Sequence, residues 1–342
     1  MKRYHIQILV IIFFFSVATK ANTAYKIGQK SLTYVDATRN RPLDVEIWYP
    51  TTDNPSEQRV KETRKEIFQT IRTIPNASIP DEKFPILLVS HGTGGNRFSL
   101  TWFIKSMVEK GYIVVSLDHY GNSTFNKIPR EFVKWWERAI DIQFVLTNVL
   151  KDEKIGAKID QSRIGGVGFS LGGYTQIALA GGYVDRDSNR TKLPELPPEF
   201  PEGEEEIDFE KDPLILASYK KYKDLVKDDR IKAFFVMTPA IGFGFHSKEQ
   251  TKDIIAPIFI VAGKGDKNTP TPYNAENYHR LIKTSTLYLF DAPVGHYVFL
   301  NEGTEFGKKI LPELTIDPPK VNRKAIHKET IKLAEDFFRI SM

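Results

Sequence analysis

The 342-residue chain contains no cysteine. That absence excludes disulfides, a thiol nucleophile, thiolate metal sites and a lipidated cysteine near the N-terminus. No H-E-x-x-H, P-loop or dinucleotide fingerprint occurs either, so no motif implies a metal or other cofactor. Internal repeats are missing, as is any basic stripe interleaved with stacking aromatics. The net charge of +5 draws on Lys2, Arg3 and Lys20 at the very start of the chain. What remains is too mild an excess to predict a nucleic-acid partner.

Beyond the first residues no apolar run is long enough to span a bilayer. Met1, Lys2 and Arg3 precede an apolar stretch at 6–17, and Thr19 and Ala21 supply small residues for cleavage after Ala21. This pattern predicts a signal peptide over 1–21, with an uncleaved N-terminal anchor as the alternative. The expected product is exported, periplasmic or secreted. Lacking disulfides, it must rely on its core for stability.

From Phe84 onward short apolar runs alternate with helical patterns. Residues 85–90, 112–117, 163–169, 231–237, 258–262 and 286–290 read as strands, most of them continuous apolar runs suited to burial on both faces. Residues 100–110, 133–150, 274–283 and 325–340 read as helices, the second with Trp136, Ile140 and Phe144 on one face. Before them, residues 31–38 and 43–49 are extended and joined by a polar turn, and 54–81 is loop with one short helix. Such βαβ alternation predicts an α/β fold, with a mostly parallel, doubly wound sheet in one domain over 22–342. One stretch, about 183–229, is too long for a simple connection. It holds a Pro/Glu-rich run and then a helix at 214–226, and it is expected to form a cap-like insertion over the strand ends.

Gly168-Phe169-Ser170-Leu171-Gly172 is a G-x-S-x-G turn between the 163–169 strand and a helix of small residues. Such a turn strains the serine and lifts its hydroxyl above the sheet. A serine hydroxyl needs an imidazole to take its proton. His5 lies in the leader, and His246, His279 and His327 sit in polar surroundings that predict surface positions. His296 instead follows the 286–290 strand by a short loop, on the expected edge of Ser170. The base needs a carboxylate to orient it. Asp266 follows the 258–262 strand through Gly263-Lys264-Gly265 and is preferred to Asp291, which would have to fold back on the histidine. The order Ser170, Asp266, His296 is that of α/β-hydrolases. Oxyanion donors are expected from the backbone of Leu171 and from Thr93 in the glycine-rich turn His91-Gly92-Thr93-Gly94-Gly95. Tyr120, Tyr183 and Phe299 are candidates to line an apolar substrate pocket. Asp185 to Asn189 begins like a calcium loop, but Arg190 and Leu196 stand where glycine and glutamate are required, so it reads as a polar turn.

Arg41-Pro42-Leu43-Asp44-Val45-Glu46-Ile47-Trp48-Tyr49-Pro50, Ser90-His91-Gly92-Thr93-Gly94-Gly95, Asp118-His119-Tyr120-Gly121-Asn122 and Arg138-Ala139-Ile140-Asp141 extend the pattern. Together with the Ser170 turn they resemble the exported "predicted dienelactone hydrolase" group, itself similar to platelet-activating-factor acetylhydrolases. The resemblance runs from about Tyr34 onward. It implies an α/β-hydrolase fold, a Ser170–Asp266–His296 triad and oxyanion donors at Thr93 and Leu171. Dienelactone hydrolases proper use a cysteine nucleophile, which this chain lacks, so the likeness to them is one of fold. The implied activity is ester hydrolysis on a small-molecule or lipid ester.

Overall fold

The computed structural model describes residues 24–54, 66–185, 208 and 210–342. The expected leader, the Pro/Glu-rich run and the polar turn after Asp185 lie outside the described residues. Strands β1 (Lys26–Asp36) and β2 (Arg41–Thr51) form an antiparallel pair, Lys26 opposite Thr51 and Asp36 opposite Arg41. Their connection is the expected polar turn, and Asn40 there takes φ 51°, a left-handed conformation that asparagine tolerates better than most residues. A two-residue strand β3 (Ile74–Pro75) pairs with β1. The short helix expected in 54–81 does not occur among the described residues of that stretch.

Strand β4 (Phe84–Ser90) is buried along its whole length, followed by α1 (Thr101–Glu109) and the equally buried β5 (Ile113–Leu117). A small ribbon, β6 (Asn122–Ser123) with β7 (Asn126–Lys127), leads into α2 (Pro129–Phe132) and α3 (Glu137–Lys151). Next come β8 (Ile159–Phe169), α4 (Leu171–Leu179) and α5 (Pro213–Tyr222). The rest is β9 (Ala233–Met237), β10 (Ile258–Gly263), α6 (Ala275–Leu281), β11 (Ser285–Phe290), α7 (Glu305–Ile310), α8 (Pro312–Thr315) and α9 (Arg323–Ser341).

One sheet takes the order β11-β10-β9-β8-β4-β5-β2-β1-β3. All pairings from β5 to β11 are parallel, whereas β2 runs antiparallel to β5. Apolar side chains cover both faces: α3, α4 and α6 seal one core with Ile86, Val115 and Phe234, and α1 and α9 seal the other with Leu87, Phe235 and Phe338. The doubly wound arrangement is as expected. The chain passes from β4 outward to β5, then returns to place β8 on the other side of β4. Loops leaving β4 and β8 therefore diverge at one point of the carboxyl edge, where open α/β sheets hold their ligands.

Two helices differ from the sequence reading. Helix α3 starts at Glu137, so Trp136 is its N-cap rather than part of a stripe; Ala139, Ile142, Leu146 and Val149 form the buried face. In α9 the sequence reading puts His327 at the surface, yet it is buried with Thr330, Ala334 and Phe338. Its Nε2 meets the Val298 carbonyl at 2.7 Å and its ring stacks 3.7 Å from Trp102. Within the insertion, α5 is capped by Asp212, buries Ile215 and Tyr219, and leaves Leu214 and Leu216 exposed. It is seated on the α2–α3 segment: Arg130 pairs with Asp212 at 3.0 Å and Trp136 Nε1 donates to Ser218 at 2.9 Å.

Candidate active site

The edge formed by the carboxyl ends of β4, β8, β9, β10 and β11 gathers the candidate residues. Ser170 leaves β8 and caps α4 with φ 54° and ψ −118°, a conformation that costs a non-glycine residue about 1–3 kcal/mol. Neighbouring glycines make that turn sterically attainable. A Cβ on Gly168 would lie 2.1 Å from the Gly172 carbonyl oxygen, and one on Gly172 would lie 2.0 Å from that of Ser90. The serine's backbone is pinned from β9: its N–H donates to Met237 O at 3.0 Å, and its carbonyl accepts from Ala240 N–H at 3.0 Å. Leu171 is the first residue of α4, so its N–H belongs to a helix N-terminus, where negative charge is favoured.

Asp266 and His296 meet on this edge. His296 Nδ1 lies 2.7 Å from Asp266 Oδ2, with both side chains buried. The imidazole packs on Phe169, the residue before Ser170, with ring centroids 4.9 Å apart. Burial alone would raise the Asp266 carboxyl, but hydrogen bonding and the charge of His296, with further donors, bring it down to about 2. Those donors are the Thr238 hydroxyl, the Thr269 hydroxyl at 2.8 Å, and the backbone N–H groups of Asn268 and Thr269 at 2.9 and 2.8 Å. The rival Asp291 is exposed and paired with Lys264 at 2.7 Å.

Thr238 and Thr269 are partners of Asp266 that the sequence reading missed. Thr238 follows β9 on the same edge and takes φ 45°. Position after a buried strand was the available signal.

The turn at 91–95 leaves β4 beside this group. A Cβ on Gly92 would sit 3.3 Å from Ser170 Cβ, so the turn touches the serine. Thr93 is half-buried there. The proposed pocket residues fare differently. Tyr120 is half-buried under the Arg41 guanidinium and lines a cavity of about 280 Å³ with Arg39, Glu131, Lys134, Glu137 and Tyr222. That cavity is polar, not the apolar pocket expected. Tyr183 is half-buried, its backbone paired with Gln250 at the start of the insertion. Phe299 has no exposed surface; it packs in the core with Phe290 and so lines no pocket.

Behind the turn lies a buried charged assembly that spacing in the sequence did not reveal. Asp141 receives Arg41 through two bonds of 3.0 Å, Arg39 at 2.9 Å and His119 at 3.1 Å. Arg41 also meets Glu131 at 2.7 Å and Glu137 at 2.9 Å. Burial opposes ionisation of Asp141, yet Arg41 and His119 hold its carboxyl well below the usual range. Burial and the charge of Arg138 push the His119 imidazole down to about 3. Among the described residues, no cluster of His, Asp or Glu has the geometry of a metal site, and no helix is long and apolar enough to cross a membrane.

No protein-family model matches the chain, and no curated protein matches it by sequence. Solved structures do, among them a ferulic acid esterase from Streptomyces cinnamoneus. It is 20% identical, aligns over 95% of this chain and 92% of its own, and gives a TM-score of 0.60. With the parallel order of β5 to β11 in the sheet, that likeness shows that the chain has the α/β-hydrolase fold.

Proposed function

We propose that this chain is an exported serine hydrolase that cleaves carboxylic esters through an acyl-enzyme. The observation that carries the reading is the left-handed backbone of Ser170 at a strand-to-helix elbow, on the edge that also bears an imidazole tied to a buried carboxylate. In this mechanism Ser170 Oγ attacks the ester carbonyl while His296 Nε2 takes its proton. Asp266 holds His296 in the Nδ1–H tautomer and stabilises the imidazolium. The N–H groups of Thr93 and Leu171 receive the oxyanion. His296 then returns the proton to the leaving alkoxide, and water, activated by the same imidazole, releases the acid. Protein groups and water suffice for every step.

The ferulic acid esterase among its structural neighbours supports an ester as substrate. The leader-like residues 1–21 support export, and the seating of α5 on the α2–α3 segment supports a cap built from the insertion. A lipid-directed acetylhydrolase or phospholipase A-type esterase is the second reading, favoured by the resemblance at residues 41–50 and 90–95. Labelling with a fluorophosphonate probe, beside Ser170→Ala, tests the nucleophile. Turnover of p-nitrophenyl esters from acetate to palmitate separates short-acyl from lipid-directed activity. Wild-type protein that neither labels nor turns over any ester would make it a non-catalytic hydrolase-fold binder and sink the proposal.

A further inference from the structure

Beneath the 91–95 turn runs a chain of hydrogen bonds whose directions chemistry fixes. The Gly92 carbonyl can only accept, so His91 donates to it from Nδ1 at 2.7 Å. The His119 backbone N–H can only donate, so His91 Nε2 accepts it at 3.2 Å. His91 is therefore neutral and held in one tautomer. Burial and the charge of Arg138 keep this imidazole well below its ordinary pKa, in agreement.

The next layer is equally determined. Asp141 accepts from His119 Nδ1 at 3.1 Å, which leaves Nε2 to accept the Ser90 hydroxyl at 2.9 Å. The Ser90 oxygen in turn accepts from Arg138 at 3.3 Å, and the same Arg138 nitrogen donates to the His91 carbonyl. Ser90, His119 and Asp141 thus form a second Ser–His–Asp array. All three are fully or almost fully buried, so this array can reach no substrate.

What the array can reach is the turn. A trans peptide carries its C=O and N–H on opposite sides. Holding the Gly92 carbonyl against the His91 imidazole therefore sets the direction of the Thr93 N–H. Gly95 N–H supports the same carbonyl at 3.2 Å. Glycine-rich backbone has little preference of its own to keep that peptide from rotating. An oxyanion donor is effective only if it is aimed before charge develops.

We propose that His91 is the positioning residue for the Thr93 oxyanion donor: the His119 backbone N–H keeps it in the tautomer that clamps the Gly92 carbonyl, Arg138 holds its own carbonyl, and Asp141 fixes the His119 side chain behind them. The proposal rests on Ser170 being the nucleophile of an ester hydrolase. It is tested in the full chain by comparing wild type, His91→Leu, His91→Asn, Arg138→Lys and Ser170→Ala. kcat and KM are measured on p-nitrophenyl acetate, and affinity on a phenylboronic acid that mimics the tetrahedral state. An asparagine amide N–H falls where the imidazole Nδ1–H sits, so it is the conservative rescue.

His91→Leu is expected to lose about 100-fold in kcat with KM changed less than about threefold, the signature of a misaimed donor. The boronate should weaken in step with kcat/KM. His91→Asn should recover about tenfold or more of the kcat lost by His91→Leu. A loss carried by KM, unchanged boronate affinity, or an Asn variant no better than Leu overturns the proposal. If His91→Leu does not fold, Arg138→Lys decides: it keeps the buried charge without the guanidinium fork and should show the same kcat-only loss, and wild-type kcat refutes the proposal. Ser170→Ala separates the two levels. Should it keep wild-type turnover, the hydrolase reading fails; should it be inactive while His91→Leu is fully active, only the positioning role fails.

Discussion

Acidification should destabilise this protein well above the range where its carboxylates titrate, because His91, His119 and His327 are folded into places that reject a proton. Burial pushes His119 down to about 3 and His327 to about 4, from an ordinary value of 6.5. His91 is likewise held well below that value. The sign follows from linkage: these groups bind protons more readily unfolded, so stability is full above about pH 6.5 and falls as pH drops toward the folded values. Moving from about pH 7.5 to about pH 5.5 costs each histidine roughly 1.4 kcal/mol, since the unfolded imidazole becomes about ten-elevenths protonated while the folded one stays neutral. The three together predict a loss of about 4 kcal/mol, a large part of the ~5–15 kcal/mol of a typical domain. Asp266, held down to about 2, adds nothing in this window; its contribution is present above about pH 4 and is lost only as pH falls toward 2. Urea unfolding followed by tryptophan fluorescence at the two pH values measures the difference. His327→Gln keeps an amide donor for the Val298 carbonyl but cannot titrate, so it should remove about a third of the pH dependence. Wild-type stability equal at both pH values within about 1 kcal/mol would refute the reasoning.

Other consequences follow from the same geometry. Ser170→Gly should abolish ester turnover yet stabilise the fold by about 1 kcal/mol in urea, because glycine takes a positive φ without strain; a destabilised variant would argue against a strained elbow. Gly172→Ala drives a methyl to 2.0 Å from the Ser90 carbonyl oxygen, and should cost about 2–3 kcal/mol together with most activity. Wild-type stability there would mean that the turn yields freely. Asp266→Asn should lower kcat about 10⁴-fold with little change in fold, as loss of the imidazole's orientation predicts. Thr238→Val removes one donor to Asp266 and should lower kcat about tenfold or less while KM holds, a graded effect that steady-state kinetics would separate from the Asp266 variant.

What the sequence made legible was local. Continuous apolar runs such as Ile86 to Val89 and Ile113 to Leu117 are what a strand buried on both faces must look like. Ser170, Asp266 and His296 could be placed because each closely follows a strand, and parallel strands deliver their carboxyl ends to one edge. His327 was misread because the residues around it are charged. Yet His327, Thr330, Ala334 and Phe338 recur at helical spacing on α9, a face legible once polar residues are allowed into a buried stripe.

The charged assembly behind the turn was illegible for a different reason. Arg41 and Asp141 are 100 residues apart and meet only because β2 and α3 converge behind β5 and the loop that follows it. No propensity or spacing encodes that encounter. Its energetics also argue that it exists for something other than stability. Buried ion pairs seldom repay their desolvation against apolar packing of equal volume, and here Asp141 alone engages Arg39, Arg41 and His119. An apolar core could have filled that volume. It could not have donated to the His91 carbonyl, as Arg138 does, or fixed the tautomer of His119, as Asp141 does. Directionality is what hydrogen-bonded charge supplies and dispersion does not. The assembly sits where a single rotated peptide would misdirect the Thr93 N–H.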